Sequence, residues 1–105
     1  MLQQGNAKQE QKIASMAALV ADLYPGLTVI SVKGAFRFGV KSALEQFGFS
    51  TWAEVADQTV TVKQDFFKLL TDKAVTHLTK MGLPQDMTTT VRTRLIKENQ
   101  QFLRN

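Results

Sequence analysis

Apolar residues recur every three or four positions along most of this chain, which is the spacing of amphipathic α-helices. The first stripe predicts a helix from about Ala7 to Tyr24, and its apolar positions are Ile13, Met16, Ala17, Val20 and Leu23. Pro25-Gly26 ends this helix, because proline disfavours helix in the residue before it and glycine supplies the turn. We expect residues 1–6 to be a flexible N-terminus and residues 7–105 to form a single helical domain.

The segment from Leu27 to Val32 departs from this pattern, since its sequence LTVISV is apolar and β-branched. Such a run between turn residues predicts a short extended or β segment. This segment could continue into a hairpin that returns through residues 35–40. We favour a helix from about Ala35 to Phe47 because its apolar positions fit a 3.6-residue period. They are Phe36, Val40, Ala43, Leu44 and Phe47.

Two capping signals predict the next helices. The stretch 51–54 (Thr-Trp-Ala-Glu) has the form of a capping box and opens a short helix that ends near Gln58. A second box at residues 61–64 opens a helix from about Val62 to Met81. Apolar residues at helical spacing support this longer helix and form one stripe along it: Phe67, Leu70, Ala74, Leu78 and Met81.

A last helix is predicted after Pro84, which suits the first turn of a helix because its fixed backbone angle is already helical. Val91, Leu95 and Phe102 share one arc of this helix. The fold class that results is mainly α: a compact single domain of about five helices with one short extended segment after the first.

Composition agrees with a globular domain and adds a basic charge. The chain has 105 residues, of which 44% are hydrophobic and 21% charged, and it has no cysteine. No apolar run is long enough to span a membrane, so we expect a cytoplasmic protein without a membrane partner. The formal charge of +4 favours an anionic partner such as nucleic acid.

Signatures of catalysis are thin, and we expect no enzyme activity, no metal and no cofactor. The single histidine, His77, lies beside an apolar stripe, where a structural or surface role is the usual one. The segment Asp65–Lys73 alternates acids with lysines, which is typical of a charge-paired solvent face. Gly34–Ser42 resembles a P-loop only superficially, because Val40 separates the second glycine from the lysine.

A basic and aromatic cluster lies in the second helical segment. Lys33, Arg37 and Lys41 repeat every four residues, so on a helix they form one basic ridge. Phe36 and Phe38 flank Arg37 and offer rings on which unpaired bases could stack. The alternative is that both phenylalanines belong to the core and that the cations are merely solvated.

A second basic stripe is predicted on the last helix, where Arg94, Lys97 and Arg104 could follow phosphates. Its alternative is an ordinary solvated face.

A helix-turn-helix is a weaker possibility for residues 52–70. Ala56 and Phe66 have the spacing of the two positions that this motif buries, but Val60 replaces the usual turn glycine. Two consecutive core helices joined by a capped turn would give the same pattern.

Two short motifs resemble the FinO/ProQ family of RNA chaperones. Tyr24-Pro25 is similar to the aromatic-proline pair that ends a helix in that family, and the segment 37–40 (Arg-Phe-Gly-Val) is similar to its basic–apolar–Gly–apolar motif. The proline expected before that motif is absent, with Ala35 near its place. The resemblance implies binding of structured RNA, with Lys33, Arg37 and Lys41 near the RNA.

From the sequence we therefore expect a small basic nucleic-acid-binding regulator, with RNA favoured over DNA. A helix-turn-helix DNA-binding protein is one alternative. The other is a protein-interaction module, an inhibitor or adaptor of phage or plasmid type, which would bind a protein partner through an exposed aromatic patch. The residues of that patch would be Phe47, Phe49, Trp52 and Phe66.

Overall fold

Helices form at each place where the apolar stripe predicts one, and they enclose one core. The computed structural model describes residues 2–104, with the backbone alone at residues 2–6. Its helices are α1 (Leu2–Leu23), α2 (Val29–Phe47), α3 (Trp52–Ala56), α4 (Val60–Lys80), α5 (Thr88–Glu98) and α6 (Gln100–Arg104), with a short 3₁₀ helix at Gln85–Met87. The predicted mainly α single domain is confirmed. The predicted flexible start begins with Met1, which lies outside the described residues, and α1 already includes Leu2.

The predicted extended segment at residues 27–32 is wrong, because α2 starts at Val29. Thr28 is the N-cap: its backbone is extended and its side chain accepts a hydrogen bond from the Ser31 amide at 3.2 Å. Val32 joins the buried stripe of α2, while Ile30 is 83% exposed. The β-branched run is therefore the first turns of a helix, and its outward-facing members are covered by nothing in the described part of the chain.

Helices α2 and α4 pack closely against each other at Gly39. A Cβ at this position would lie 2.7 Å from the backbone oxygen of Leu70 and 3.2 Å from the Cβ of Ala74. Such distances leave no room for a side chain, so the two small residues allow the helix backbones to meet. Phe36 and Phe67 are buried in the same core, to which each of the six described α-helices contributes residues.

The predicted capping boxes are only partly formed. Thr51 is the N-cap of α3 but makes no side-chain capping bond, and Glu54 accepts from the Ser50 amide at 3.0 Å instead. In α4 the N-cap is Thr59, not Thr61, and its hydroxyl accepts from the amide three residues on. The cap moves because α4 begins two residues earlier than the pattern predicts, at Val60.

The predicted last helix is broken at Asn99, which separates α5 from α6. Asn99 is buried, and its side-chain amide donates to the Leu95 carbonyl at 2.8 Å. Its Oδ1 accepts from Lys12 Nζ at 3.2 Å, which ties the break to α1. An asparagine side chain that bonds its own backbone competes with the helix, and this explains why the helix ends and restarts here.

Lys63 is an unusual member of the core, because it is only 1% exposed. Its Nζ lies 5.4 Å from the ring centre of Phe102, and Lys12 Nζ lies 5.6 Å from the same ring. Among the described residues Lys63 takes part in no ion pair. Burial of Lys12 lowers the pKa of its ammonium from the usual 10.5, since desolvation disfavours the charged form.

We expect the two mid-helix glycines of α2 to respond in opposite ways to alanine. Gly39→Ala forces α2 and α4 apart and should lower the free energy of unfolding by about 1–3 kcal/mol. Gly34→Ala meets no atom within 4 Å and should raise it by about 0.5–1 kcal/mol through helix propensity. Urea unfolding followed by circular dichroism measures both, and equal effects of the two changes would contradict the close packing at Gly39.

We expect Lys63→Met to leave the free energy of unfolding unchanged or to raise it. Methionine keeps the apolar stem, and its thioether can itself pack against the Phe102 ring in place of the ammonium, which has no ion-pair partner among the described residues. Lys63→Ala leaves a cavity and should cost about 2–5 kcal/mol. Lys68 is an exposed lysine on the same helix, so Lys68→Met serves as the control and should change the free energy of unfolding by less than about 0.5 kcal/mol. Equal losses for Lys63→Met and Lys63→Ala would show that the charge is needed.

Candidate nucleic-acid interface

Lys33, Arg37 and Lys41 lie on one ridge of α2, as their spacing predicts. Arg37 and Lys41 are exposed, and Lys33 is half-buried. Arg37 Nη2 donates to Glu10 Oε1 at 2.9 Å, and this bond raises the pKa of the Arg37 guanidinium above its usual value. Both side chains of the pair are 54% exposed. An ion pair this accessible is weak, so the guanidinium can exchange Glu10 for another anion.

The two phenylalanines beside Arg37 have different roles. Phe36 is fully buried, so its predicted stacking role is wrong. It shares the core stripe of Val32 and Val40, and adjacent helical residues point about 100° apart. Phe38 is 47% exposed, and its ring centre lies 5.4 Å from that of His77 with the planes tilted by 32°. Phe38 is thus the one ring of this pair that solvent can reach.

Phe38 forms one wall of a shallow cleft of about 340 Å³ between α2 and α4. The other wall is a row of α4 side chains that includes Lys73, His77 and Lys80, spaced about one turn apart. The cleft is therefore lined by an open aromatic ring, an imidazole and two ammonium groups.

Asp72 also lines this cleft, but its charge is balanced. Arg92 Nη1 donates a hydrogen bond to Asp72 Oδ1 across the turn between α4 and α5. The sequence pattern predicted that Asp72 pairs with lysines on its own helix, and the structure pairs it with an arginine of α5 instead. The paired carboxylate leaves the positive charge of Lys73 and Lys80 dominant in the cleft.

The cleft and the ridge are continuous on α2, since Phe38 follows Arg37 directly and lies one turn before Lys41. We name the combined surface the basic cleft and define it by six residues: Arg37, Phe38, Lys41, Lys73, His77 and Lys80. The sequence analysis did not predict the α4 residues of this surface. Residues 73, 77 and 80 have helical spacing, but only the packing of α2 against α4 shows that they lie near Phe38.

The C-terminal cations do not form the predicted single stripe. Arg94 Nη2 lies 4.0 Å from Glu98 Oε1 and lines a groove against α1, whereas Arg104 lines a different groove against α4. Lys97 lies on the exposed side of α5. The break at Asn99 places Arg104 on a different helix from Arg94 and Lys97.

Arg94 also lies away from the basic cleft. On α1, Glu10 meets Arg37 of α2, while Lys12 and Asp22 line the groove that contains Arg94. Because these α1 positions lie on different faces of that helix, α2 and α5 contact α1 from different sides.

The aromatic patch predicted for a protein partner is internal. Trp52 and Phe66 are buried, and their rings pack edge to face with centres 5.7 Å apart. Phe47 and Phe49 pack against the same core and are partly buried. The prediction of an exposed patch at these four residues is wrong, because burial of such large apolar rings in the core is favourable.

The helix-turn-helix alternative is also not supported by the fold. Helix α3 has 5 residues, which is little more than one turn, and Ala56 is exposed where the motif requires a buried residue. Helix α4 is the packing partner of α2 over its middle turns, at Leu70 and Ala74, so it is a core helix and not a protruding recognition helix.

Over residues 2–104, no group of three or more histidine, cysteine or acidic side chains is placed to hold a metal ion. Within the same range, the helices are too short or too polar to cross a membrane.

The chain matches no known family model, and neither the curated proteins nor the solved structures include one that is similar to it. Its function therefore has to be inferred from its own residues.

Proposed function

We propose that this protein is a small nucleic-acid-binding regulator that holds unpaired bases of structured RNA in the basic cleft. The role is to bind and position RNA, not to transform it. The observation that carries the proposal is the half-exposed ring of Phe38, which lies beside His77 in a cleft that Lys73 and Lys80 also line.

The chemistry of the cleft suits a single-stranded segment. A base can stack on an open aromatic ring, and such stacking contributes about 1–3 kcal/mol per base. Four cations can contact the phosphates next to a stacked base: Lys73 and Lys80 line the cleft with Phe38, and Arg37 and Lys41 lie within one turn of it on α2. Phosphate contacts of this kind supply affinity without sequence preference.

RNA is favoured over duplex DNA because the aromatic contact needs an unstacked base. Loops and bulges of folded RNA present such bases, whereas the bases of a DNA duplex stay in the stack. Reading a duplex would require a helix that enters the major groove, and α3 and α4 lack the helix-turn-helix arrangement for this. The resemblance of Tyr24-Pro25 and of residues 37–40 to motifs of the FinO/ProQ family favours the same class of ligand.

We expect Phe38→Ala to weaken binding of an RNA hairpin with an open loop by about 5- to 100-fold, the equivalent of one stacked base. Because it removes no charge, the dependence of affinity on salt should stay the same. Lys80→Gln should weaken binding and reduce the slope of log K against log [KCl] by about 0.7–0.9. Fluorescence anisotropy with a labelled hairpin at several KCl concentrations measures both quantities.

Lys97→Gln is the matched control, since it removes the same charge from the exposed side of α5 and should change affinity by less than about twofold. A fully paired duplex RNA should bind more weakly than the hairpin and should be insensitive to Phe38→Ala. The proposal fails if Lys97→Gln weakens binding as much as Lys80→Gln, or if Phe38→Ala has no effect on the hairpin.

Releasing Arg37 from its carboxylate should strengthen RNA binding. Glu10→Gln removes the anion that competes with phosphate, so we expect an increase in affinity of about two- to fivefold at low salt. Glu98→Gln is the control: it frees Arg94 from an ion pair of similar exposure and makes the same change in net charge. Equal gains from the two variants would mean that net charge alone acts, and would argue against a site at Arg37.

A further inference from the structure

A second concave surface lies on the other side of α4, where α5 and α6 run back along it. It is a groove of about 480 Å³. The apolar part of its lining comes from Ile96, together with Phe67 and Leu103, which are 1% and 6% exposed and form the floor of the groove. Ile96 is 45% exposed, although it is a large aliphatic residue in the wall of a groove. Burying such a side chain under a ligand is favourable, so the groove offers apolar surface that the fold itself leaves open to water.

The charged groups at this groove are mostly positive. Lys68 and Arg104 are exposed at its edge, and neither takes part in an ion pair among the described residues. The acid that lines the groove is Asp72, and it is bonded to Arg92 at the end nearer the α4–α5 turn. The groove is thus complementary to an apolar body that carries a negative charge.

The size of the groove sets the class of ligand. Its α4 wall extends from Gln64 to Asp72, a length of about 12 Å at 1.5 Å per residue. Its volume lies within the range of about 300–1,000 Å³ that is usual for small-molecule sites, and its mixture of apolar walls with a few polar groups is also usual for them. The Arg92–Asp72 ion pair limits the groove at one end, which suits a short ligand better than a long helix.

We propose that this groove binds a small amphipathic carboxylate. The apolar chain would lie against the exposed side chain of Ile96, over the floor formed by Phe67 and Leu103, and the carboxylate would accept hydrogen bonds from Lys68 and Arg104. This site is separate from the basic cleft and does not depend on RNA binding.

The test uses decanoate, kept below the concentration at which it forms micelles, and follows the amide signals of the ¹⁵N-labelled protein by NMR. We expect saturable shifts around Ile96, Lys68 and Arg104. Decanol should bind more weakly and decyltrimethylammonium more weakly still, because the edge of the groove is positive. Lys68→Gln and Arg104→Gln should each weaken decanoate binding by about three- to tenfold while they leave decanol binding unchanged.

Ile96→Glu places a carboxylate in the groove and should weaken decanoate binding by more than about tenfold. Ile30→Glu is the matched control, since Ile30 is an exposed isoleucine on α2, away from the groove, and it should have no effect. Both positions are exposed, so neither variant should disturb folding, and circular dichroism checks this. Phe38→Ala should also leave decanoate binding unchanged, which separates this site from the RNA site.

Four results would overturn the proposal. They are the absence of saturable shifts, tighter binding of the cationic probe than of decanoate, equal effects of Ile96→Glu and Ile30→Glu, and shifts spread over the whole core with loss of helical signal. Light scattering provides one more check: a dimer that Ile96→Glu dissociates would assign the groove to a second copy of the chain instead of to a small carboxylate.

Discussion

The contact between α2 and α4 at Gly39 is the constraint on which the rest of the molecule depends. The backbone of α2 reaches that of α4 because Gly39 has no side chain and Ala74 has a small one. Phe38 is the neighbour of Gly39, so the same close approach brings its ring to His77. A larger residue at position 39 would therefore change the basic cleft as well as the core, and this links the stability of the fold to its proposed function.

The C-terminal part of the chain depends on buried polar groups. Asn99 bonds to Lys12 and to its own helix, and it turns the chain so that α6 returns towards α4. The rings of Phe102 and Trp52 then lie with centres 5.0 Å apart, and the ammonium groups of Lys12 and Lys63 lie over the Phe102 ring. These contacts hold α6 in place and so shape the groove that α5 and α6 form with α4. A continuous last helix would have carried Leu103 and Arg104 away from α4.

The helices could be predicted from the sequence, but not all of the residues at which they begin and end. Apolar periodicity predicted α1, most of α2 and α4, because burial of one face is what stabilises these helices. It failed at residues 29–32, where Val29 and Ile30 have strand propensity but are exposed in a helix, and at Asn99, whose role needs Lys12 of α1. Phe36 could have been separated from Phe38 in advance, since it falls on the stripe of Val32 and Val40. The sequence alone could not predict that Phe38 lies near Lys73 and Lys80, because this depends on how α2 packs against α4.

One ion pair balances the negative charge of the single acid that lines both concave surfaces. Asp72 lines the basic cleft on one side of α4 and the apolar groove on the other, and Arg92 bonds to it from α5. An unpaired carboxylate at this position would repel an anion from either surface. Its pairing with Arg92 depends in turn on the turn around Gly82, which has a positive φ of 116° and lets α5 run back along α4. The geometry of that turn thus leaves two mainly basic concave surfaces on a helix that carries acids among its lysines.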